Sequence, residues 1–507
     1  MRDLILTLDA GTTGLKSTVF TAGGQALASV VSPYEVELPR PGWAQQPALW
    51  FISAALDGVR KVLSGVDSGR VAVIGLSGTM NGCIPVSGVG DALYPNIIHS
   101  DIRAEGQLDM IRAVMDESVF YARTGNRLDM HYTLPKILWL RENHPDVYRG
   151  TRWFVNTKDV LYGFLTGRFG VTDYSDASLT GALNIHTREW DRALLTELGI
   201  DPEVMPHILP SHDVSGALTG EAARAMGLPE GLPVAVGAGD GVCASHGAGL
   251  YAPGDAYINL GSSAWLCTLS DMPVIDAGMR TFNFLDMDGK RANVCGTVQC
   301  AGAAMDWAVE NLILPGQKLA AKAFDAIEEM ADQIPVGSEG VFFLPTMMGE
   351  RTPWWDGNAR GTLMGMSLYH ERAHVARAAY EGVGQALHLV DEVMRENSLA
   401  YQSIALVGGG AQSGIWPQML ADMFGIRTRV HSRSRQATSL GAAMAAGVGV
   451  GLFASYEEAS KMADFGEAFM PDPVRRTAYA RHYDVYRVLY GQIKDAYQSI
   501  ARYQTER

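Results

Sequence analysis

The amino-acid sequence predicts an α/β protein with mixed sheets, made of two similar halves that face each other across a cleft. Three observations carry this. Short apolar runs of strand length end repeatedly in turns of glycine, serine and threonine. Between them lie longer segments with apolar residues three and four apart, the spacing of a helix with one buried face. The order of these elements in the second half repeats that of the first. At roughly 150 residues per domain, 507 residues allow two or three domains, and large α/β folds favour the smaller number.

In chain order, residues 4–9, 15–21 and 26–33 read as extended runs, the last two joined as a hairpin by Gly23-Gly24. Pro47 opens a helix with Leu49, Ile52, Leu56, Val59 and Leu63 on one face. Residues 71–76 form a continuous apolar run into Ser77-Gly78, the pattern of a buried strand. Helices are expected over 105–115, 133–142 and 158–165. A strand at 232–237 runs into Gly239-Asp240-Gly241, and another at 257–260 into Gly261-Ser262-Ser263. Then come a strand at 342–344, a long helix at 373–397, and a strand at 404–407 leading into Gly408-Gly409-Gly410. The duplicated order predicts domains at 1–248 and 249–507. In the last helix Tyr479, Tyr483, Tyr486, Tyr490, Ile493, Tyr497 and Ile500 form a stripe, either a homodimer seam or a face docked on its own domain.

Composition narrows the partners. A formal net charge of −14 excludes a protein whose main ligand is a nucleic-acid backbone, though not a small anion held by local groups. The 56 glycines exceed the usual share of about 7% and ask for a use, in tight turns or backbone close to a ligand. Five scattered cysteines without a CxxC pair form neither a disulfide framework nor a zinc signature, and point to a reducing, cytoplasmic setting. No signal peptide is read at the N-terminus. Residues 436–456 are uncharged but rich in alanine and glycine, with Gly447, Gly449 and Gly451 expected to break the helix. They read as a buried, close-packed helix rather than a membrane span.

Four turns can carry chemistry. In Asp9-Ala10-Gly11-Thr12-Thr13-Gly14-Leu15-Lys16, Gly11 and the two hydroxyls can wrap donors around a phosphate. Asp9 can hold Mg²⁺ directly or through water, and Lys16 can neutralise a terminal phosphate. Gly261-Ser262-Ser263 echoes that turn in the second half. Gly408-Gly409-Gly410-Ala411-Gln412-Ser413, between strand and helix, offers a flat glycine surface to a nucleotide. Asp240, flanked by glycines at a strand end, suits the acceptor of a hydroxyl proton in phosphoryl transfer. Taken singly, each is equally an ordinary turn or cap.

Together, in this order, the four turns resemble the actin-like ATPase superfamily, and within it the FGGY carbohydrate kinases. Three further stretches carry that resemblance. Pro41-Gly42-Trp43-Ala44-Gln45-Gln46-Pro47 resembles the family's Gly-Trp-x-Glu-Gln-Asp-Pro entry to its first helix, without the acidic residues. Gly349-Glu350-Arg351-Thr352-Pro353 is similar to a segment typical of xylulokinases. Residues 361–381 follow a long family signature, with Gly361, Leu363, Gly365 and Met366 ahead of His374, Val375, Ala378, Ala379, Tyr380 and Glu381. A first signature fits around Thr133, Lys136 and Trp139, with His131 beside it.

The resemblance implies two ribonuclease-H-like domains closing over ATP and a sugar. It implies Asp240 as catalytic base and Thr12, Thr13 and Lys16 at the first phosphate turn. Gly261 and Ser262 fall at the second turn, Gly409, Gly410 and Ser413 at the adenosine side, and Asp9 on the Mg²⁺ side. The acceptor side falls at Met80, Asn81, Asp101, Arg103, Asp240 and Gly241. Three departures fall there: Asn81 stands where xylulokinases carry histidine, His99 where the family carries tryptophan, and Gly241 where they carry asparagine. The expected activity is transfer of the γ-phosphate of ATP to a hydroxyl of a ketopentose, xylulose first. Ribulose, L-xylulose, erythrulose or a pentitol are the alternatives. A nucleotide-driven switch of the actin or heat-shock-chaperone type is the remote one. His431-Ser432-Arg433-Ser434-Arg435 is expected as a solvated loop near the nucleotide rather than a nucleic-acid patch.

Overall fold

The computed structural model describes residues 2–316 and 321–505. Two seven-stranded mixed sheets form its frame. The first half's sheet begins as an antiparallel meander, Leu4–Ala10, Gly14–Thr21 and Ala26–Pro33, and Val71–Gly78 lies parallel to Leu4–Ala10. The second half's sheet repeats this scheme. Ala256–Leu260, Ala264–Ser270 and Ala292–Val298 form the meander, and Ser403–Val407 lies parallel to Ala256–Leu260. The turns at residues 11–13 and 261–263 thus occupy equivalent places, each between the first two strands of its sheet. The duplicated grammar of the sequence is a duplicated topology.

Most expected elements form near their predicted bounds, and three differ for physical reasons. The first helix, Ala48–Val62 with Pro47 at its N-cap, buries Phe51, Ala55, Val59 and Val62, while Leu49 is exposed. Small residues set that rotation: a Cβ on Gly58 would lie 2.4 Å from Ser17 Oγ, so this face rests directly on the sheet. The strand expected at 232–237 is split into Pro233–Val234 and Ala238–Gly239 by Gly237, whose φ of 78° leaves the extended region. The helix Ala437–Gly449 runs through Gly447 instead of breaking there. Among the described residues no helix is long and apolar enough to cross a membrane.

The helix Ala437–Gly449 belongs by sequence to the second half and by packing to both. Its Leu440, Ala443, Met444 and Ala446 share a core with Ile5, Phe20, Val73 and Ala235 of the first sheet. Against its other side lies the helix Asp240–Gly247, which carries the candidate base. Glycine makes this approach possible. A Cβ on Gly247 would sit 1.8 Å from the Ala437 carbonyl oxygen, and one on Gly441 1.9 Å from that of Cys243.

The aromatic stripe of the last helix, Pro473–Thr505, docks on its own chain. Tyr486 donates to the Gly382 carbonyl at 3.0 Å and Tyr479 accepts from Arg377 at 2.7 Å. Tyr490 stacks on Trp354 with ring centres 4.0 Å apart. The last helix thereby braces the second half from outside, away from the cleft.

Gly247→Ala and Gly441→Ala are each expected to destabilise the protein by about 3 kcal/mol, the upper end of ordinary overpacking, because a backbone carbonyl must move. Gly491→Ala, on the exposed face of the last helix with nothing within 4 Å of the new Cβ, should stabilise by about 0.5–1 kcal/mol. Denaturant midpoints of the three variants check this. Equal midpoints would show that the helix pair has slack.

Candidate active site

A cleft of about 620 Å³ lies between the halves. The first half contributes Thr12, Met80, Asn81, His99, His131, Asp240 and Gly241 to its wall. The second contributes Ser263, Trp265, Thr297, Gln299 and Arg351, among others. Of the acceptor-side residues expected from sequence, Met80, Asn81, Asp240 and Gly241 therefore come together.

Asp240 is the first residue of the helix Asp240–Gly247, and the glycines before it explain its placement. A Cβ on Gly237 would lie 2.2 Å from the Leu76 carbonyl oxygen, and one on Gly239 within 2.6 Å of Met80 Sδ. Only bare backbone fits, so the loop is pressed onto strand Val71–Gly78 and the carboxyl is delivered at its end. Burial, with the charge of Asp9 second, pushes the Asp240 carboxyl up to about 7. Such a carboxylate can still accept a proton near neutral pH. Gly241 is less constrained: a Cβ there would meet Met80 Sδ at 3.4 Å and the Phe284 ring at 3.5 Å, ordinary contact distances.

Behind the base stands a buried ionic cluster that sequence reading missed. Lys158 Nζ lies 2.6 Å from Asp159, 2.9 Å from Asp173 and 3.1 Å from Asp176, all of them buried. Asp173 accepts from Ser175 Oγ at 2.6 Å, and Ser175 Oγ in turn accepts the Gly239 N–H at 2.8 Å. A second buried lysine, Lys136, donates to the carbonyls of Asn81, Ile98 and His131 at 2.6, 2.9 and 2.8 Å. One ammonium thus pins three segments of the cleft wall.

The first candidate phosphate turn is held from behind. Tyr34 OH donates to the Gly11 carbonyl at 2.5 Å and Gln46 Nε2 to that of Thr12 at 2.8 Å. Thr12 remains on the cleft and Thr13 exposed. Lys16 Nζ donates to the Arg435 carbonyl at 2.9 Å, tying this turn to the second half. Asp9 is buried at the end of its strand and accepts from Ser439 Oγ at 3.0 Å. Burial raises its carboxyl while Lys16 opposes the shift. A Mg²⁺ ion takes one or two carboxylates and fills its shell with waters and phosphate oxygens, so a single strand-end Asp beside the turn is a fitting donor set. Among the described residues no group of three or more His, Cys, Asp or Glu forms a protein-only metal cage.

In the second turn the Gly261 carbonyl accepts from the Gly302 N–H at 3.0 Å, and that of Ser262 from Ala301 and Ala303 at 2.8 and 3.1 Å. The Ser262 side chain is left exposed. At the third, Gly409 is exposed with open space above it, and Gly410 packs against Trp416. Beside it a groove of about 340 Å³ is lined by Gln412 and residues 432–436. The loop expected as solvated is so only in part: Ser432 and Arg435 are exposed, while His431 and Ser434 are buried.

Two sets of expected site residues lie elsewhere. Asp101 and Arg103 form a buried ion pair at 2.7 Å, with the guanidinium 4.0 Å from the Trp43 ring centre and 5.1 Å from that of Trp139. They brace the entry loop to the first helix and do not line the cleft. Ser413 Oγ donates to Glu328 at 2.5 Å and accepts the N–H of Trp416, the first residue of the helix Trp416–Phe424, at 3.2 Å. Conversely His131, Trp265, Thr297, Gln299 and Arg351 line the cleft although sequence did not single them out as site residues. The segment containing Arg351 and the signature beside His131 were the available signals.

Comparison with known proteins agrees with this geometry. Residues 4–247 match the model of the N-terminal domain of the FGGY family of carbohydrate kinases, and residues 256–450 that of the C-terminal domain. The xylulose kinase of Bacillus subtilis is 28% identical over 494 residues, 97% of each chain. The gluconokinase of the same organism is 27% identical over 511 residues, 99% of each chain. Among solved structures, xylulose kinase from Rhodospirillum rubrum superposes with a TM-score of 0.91 at 26% identity, covering 98% of this chain and 100% of that one. Gluconate kinase from Lactobacillus acidophilus has a TM-score of 0.91 at 25% identity, covering 98% and 99%. With both family models matched in order along the two halves, the chain belongs to the FGGY family of carbohydrate kinases.

Proposed function

We propose that this sugar kinase transfers the γ-phosphoryl group of ATP to a primary hydroxyl of a ketopentose, xylulose first, with Asp240 as the base. One observation carries the assignment of the base: Asp240 stands in a cleft lined by both halves, with its carboxyl held near neutrality. The acceptor oxygen bonds to the γ-phosphorus as the bond to the β–γ bridging oxygen breaks. ADP keeps that electron pair, and Asp240 receives the hydroxyl proton. Thr12, Thr13, Gly261 and Ser262 position the phosphates, and Lys16 and the Gly409-Gly410 turn serve the nucleotide. Asp9 would hold Mg²⁺, whose charge offsets that of the phosphate oxygens. The domain division is placed at 248/249, after the helix that ends at Gly247 and before strand Ala256–Leu260. Five buried free cysteines favour a reducing, cytoplasmic setting.

Xylulose rests on the Gly349–Pro353 segment and on relatives bearing that name. Identities of 28% and 27% do not choose between xylulose kinase and gluconokinase. A coupled ADP-release screen over D- and L-ketopentoses, tetruloses and pentitols decides among neutral acceptors. A negative result with xylulose would move the acceptor without touching the phosphoryl chemistry.

Asp240→Asn should keep ATP binding, measured calorimetrically, and lose sugar-dependent ADP release by about 10²–10⁴-fold. Near-wild-type turnover in that variant would remove Asp240 from the mechanism. In the wild type, kcat/KM should fall on the acid side of about pH 7, as the base protonates. Stability runs the other way. A carboxyl whose folded pKa lies above its unfolded value of about 4 costs stability increasingly as pH rises from about 4 to about 7. Asp240→Asn should therefore unfold at higher temperature than wild type at pH 8 and near the same temperature at pH 4. The difference between melting profiles at the two pH values tests it.

A further inference from the structure

A second pocket, of about 350 Å³, lies at the opposite end of the second half's sheet from the nucleotide turns. Strands Ala256–Leu260 and Ser403–Val407 begin at it and reach the turns at Gly261 and Gly408 about 13 Å further along. Its walls include Gly249, Pro253 and Asp255 from the linker between the halves, and Gln402, Ser403 and Arg429 from the sheet. That linker follows directly on the helix Asp240–Gly247. Gln402 is exposed, so the pocket opens to solvent. It shares no lining residue with the cleft.

The sheet register gives this pocket its donors. Ser403 pairs with Arg427 and Ala405 with Arg429 in parallel strands, so the four side chains share one face. Ala405 is too short to fill the space beside Arg429. The Arg429 guanidinium lies 4.1 Å from the centre of the Phe465 ring, a contact that engages the face of the cation and not its in-plane N–H groups. Its Nε is buried without a hydrogen-bond partner, and so is the Oγ of Ser403. Two buried donors left unpaired in one pocket carry a desolvation cost that one bound acceptor would offset.

The surrounding charges favour an anion. Burial, then the field of Arg427, holds the Arg429 guanidinium below its ordinary range, and Asp255 opposes them without reversing the shift. Asp255 is engaged by the linker itself: its Oδ2 accepts the N–H groups of Tyr251 and Ala252 at 3.0 and 2.9 Å. Two arginines are thus set against one carboxylate that is already hydrogen-bonded elsewhere.

A phosphate group takes paired N–H donors from an arginine together with hydroxyl and amide donors. We propose that this pocket binds a phosphate-bearing small molecule, inorganic phosphate or a phosphate monoester, at a site separate from the cleft. Arg429 and Ser403 bond the phosphate oxygens, Gln402 stands at the mouth, and Arg427 adds its charge. A volume of about 350 Å³ falls at the lower end of small-molecule sites and leaves room for a short carbon chain beyond the phosphate. No bond is made or broken there.

Calorimetric titration of the full chain tests this, with Mg²⁺ and a non-hydrolysable ATP analogue present so that the phosphate turns are filled. The probes are inorganic phosphate and ribose 5-phosphate. At least one is expected to bind with a Kd of about 1 mM or below, more weakly as salt is raised. Arg429→Met should weaken that binding at least tenfold, and Ser403→Ala by about threefold. Equal affinities for the two probes assign the free ion, and tighter ribose 5-phosphate assigns the ester. Failure of both probes to bind overturns the inference. So does binding that Arg429→Met leaves unchanged, since the anion then sits elsewhere. Where the methionine variant does not fold, Ser403→Ala decides by the same comparison. None of these outcomes touches the kinase reading, which concerns the other end of the strands.

Discussion

The active-site frame depends on the contact between the helices Asp240–Gly247 and Ala437–Gly449. Backbone meets backbone there because Gly247 and Gly441 carry no side chain, and Gly75 of the first sheet admits the same helix 2.5 Å from where its own Cβ would stand. A helix of the second half is in this way built into the core of the first. Two polar links follow from its position: Ser439 reaches Asp9, and the loop before the helix offers its Arg435 carbonyl to Lys16. The proposed base, metal-side carboxylate and nucleotide loop are thus tied to one packed helix pair rather than to mobile side chains. Much of the glycine excess finds its use in such close approaches as well as in the turns.

The same region holds a buried, charge-unbalanced cluster. Lys158 faces three buried carboxylates, and burial with mutual repulsion pushes Asp159 and Asp176 up while their charges push Lys158 up. One cation faces three carboxylates in low dielectric, and this biases Asp159 and Asp176 toward their neutral forms. Buried ion pairs contribute little net stability compared with apolar packing, but removing one partner is expensive. What the cluster supplies is direction. Through Asp173 and Ser175 it hydrogen-bonds the Gly239 N–H, the peptide immediately before the base.

How much of this was legible in the sequence follows from the range of each interaction. The strands and their glycine turns were legible because apolar runs and small-residue turns act locally, and duplication showed each turn twice. Asp240 was legible because its flanking glycines mark backbone that must approach something. The Lys158 cluster was not, since its carboxylates are spread over residues 159–176 and only folding makes them neighbours. Asp101 and Arg103 were misplaced for a related reason: a motif gives a position, not the direction of its side chains. Here Trp43 and Trp139 draw the guanidinium inward. Arg351 was passed over on the same ground, because nothing local distinguishes an arginine facing a cleft from one facing solvent. The rotation of the first helix depended on Gly58 meeting Ser17 across the chain.

These ranges divide the site into two parts with different tolerance for change. The side proposed for the phosphates is made largely of backbone: turn carbonyls tied to the start of helix Gly302–Ala308, a glycine surface at Gly409, and strand ends. Such groups depend on the fold, and most substitutions leave them in place. The acceptor side is made of side chains, Asn81, His99, His131, Gln299 and Arg351, set on segments pinned by Lys136 and Glu350. A substitution there changes the cleft wall without moving the turns proposed for the phosphates. That division accounts for a fold held to a TM-score of 0.91 at 25–26% identity while the names of the neighbours alternate between two acceptors. It also explains why the departures at Asn81, His99 and Gly241 cluster as they do. All three line the cleft wall.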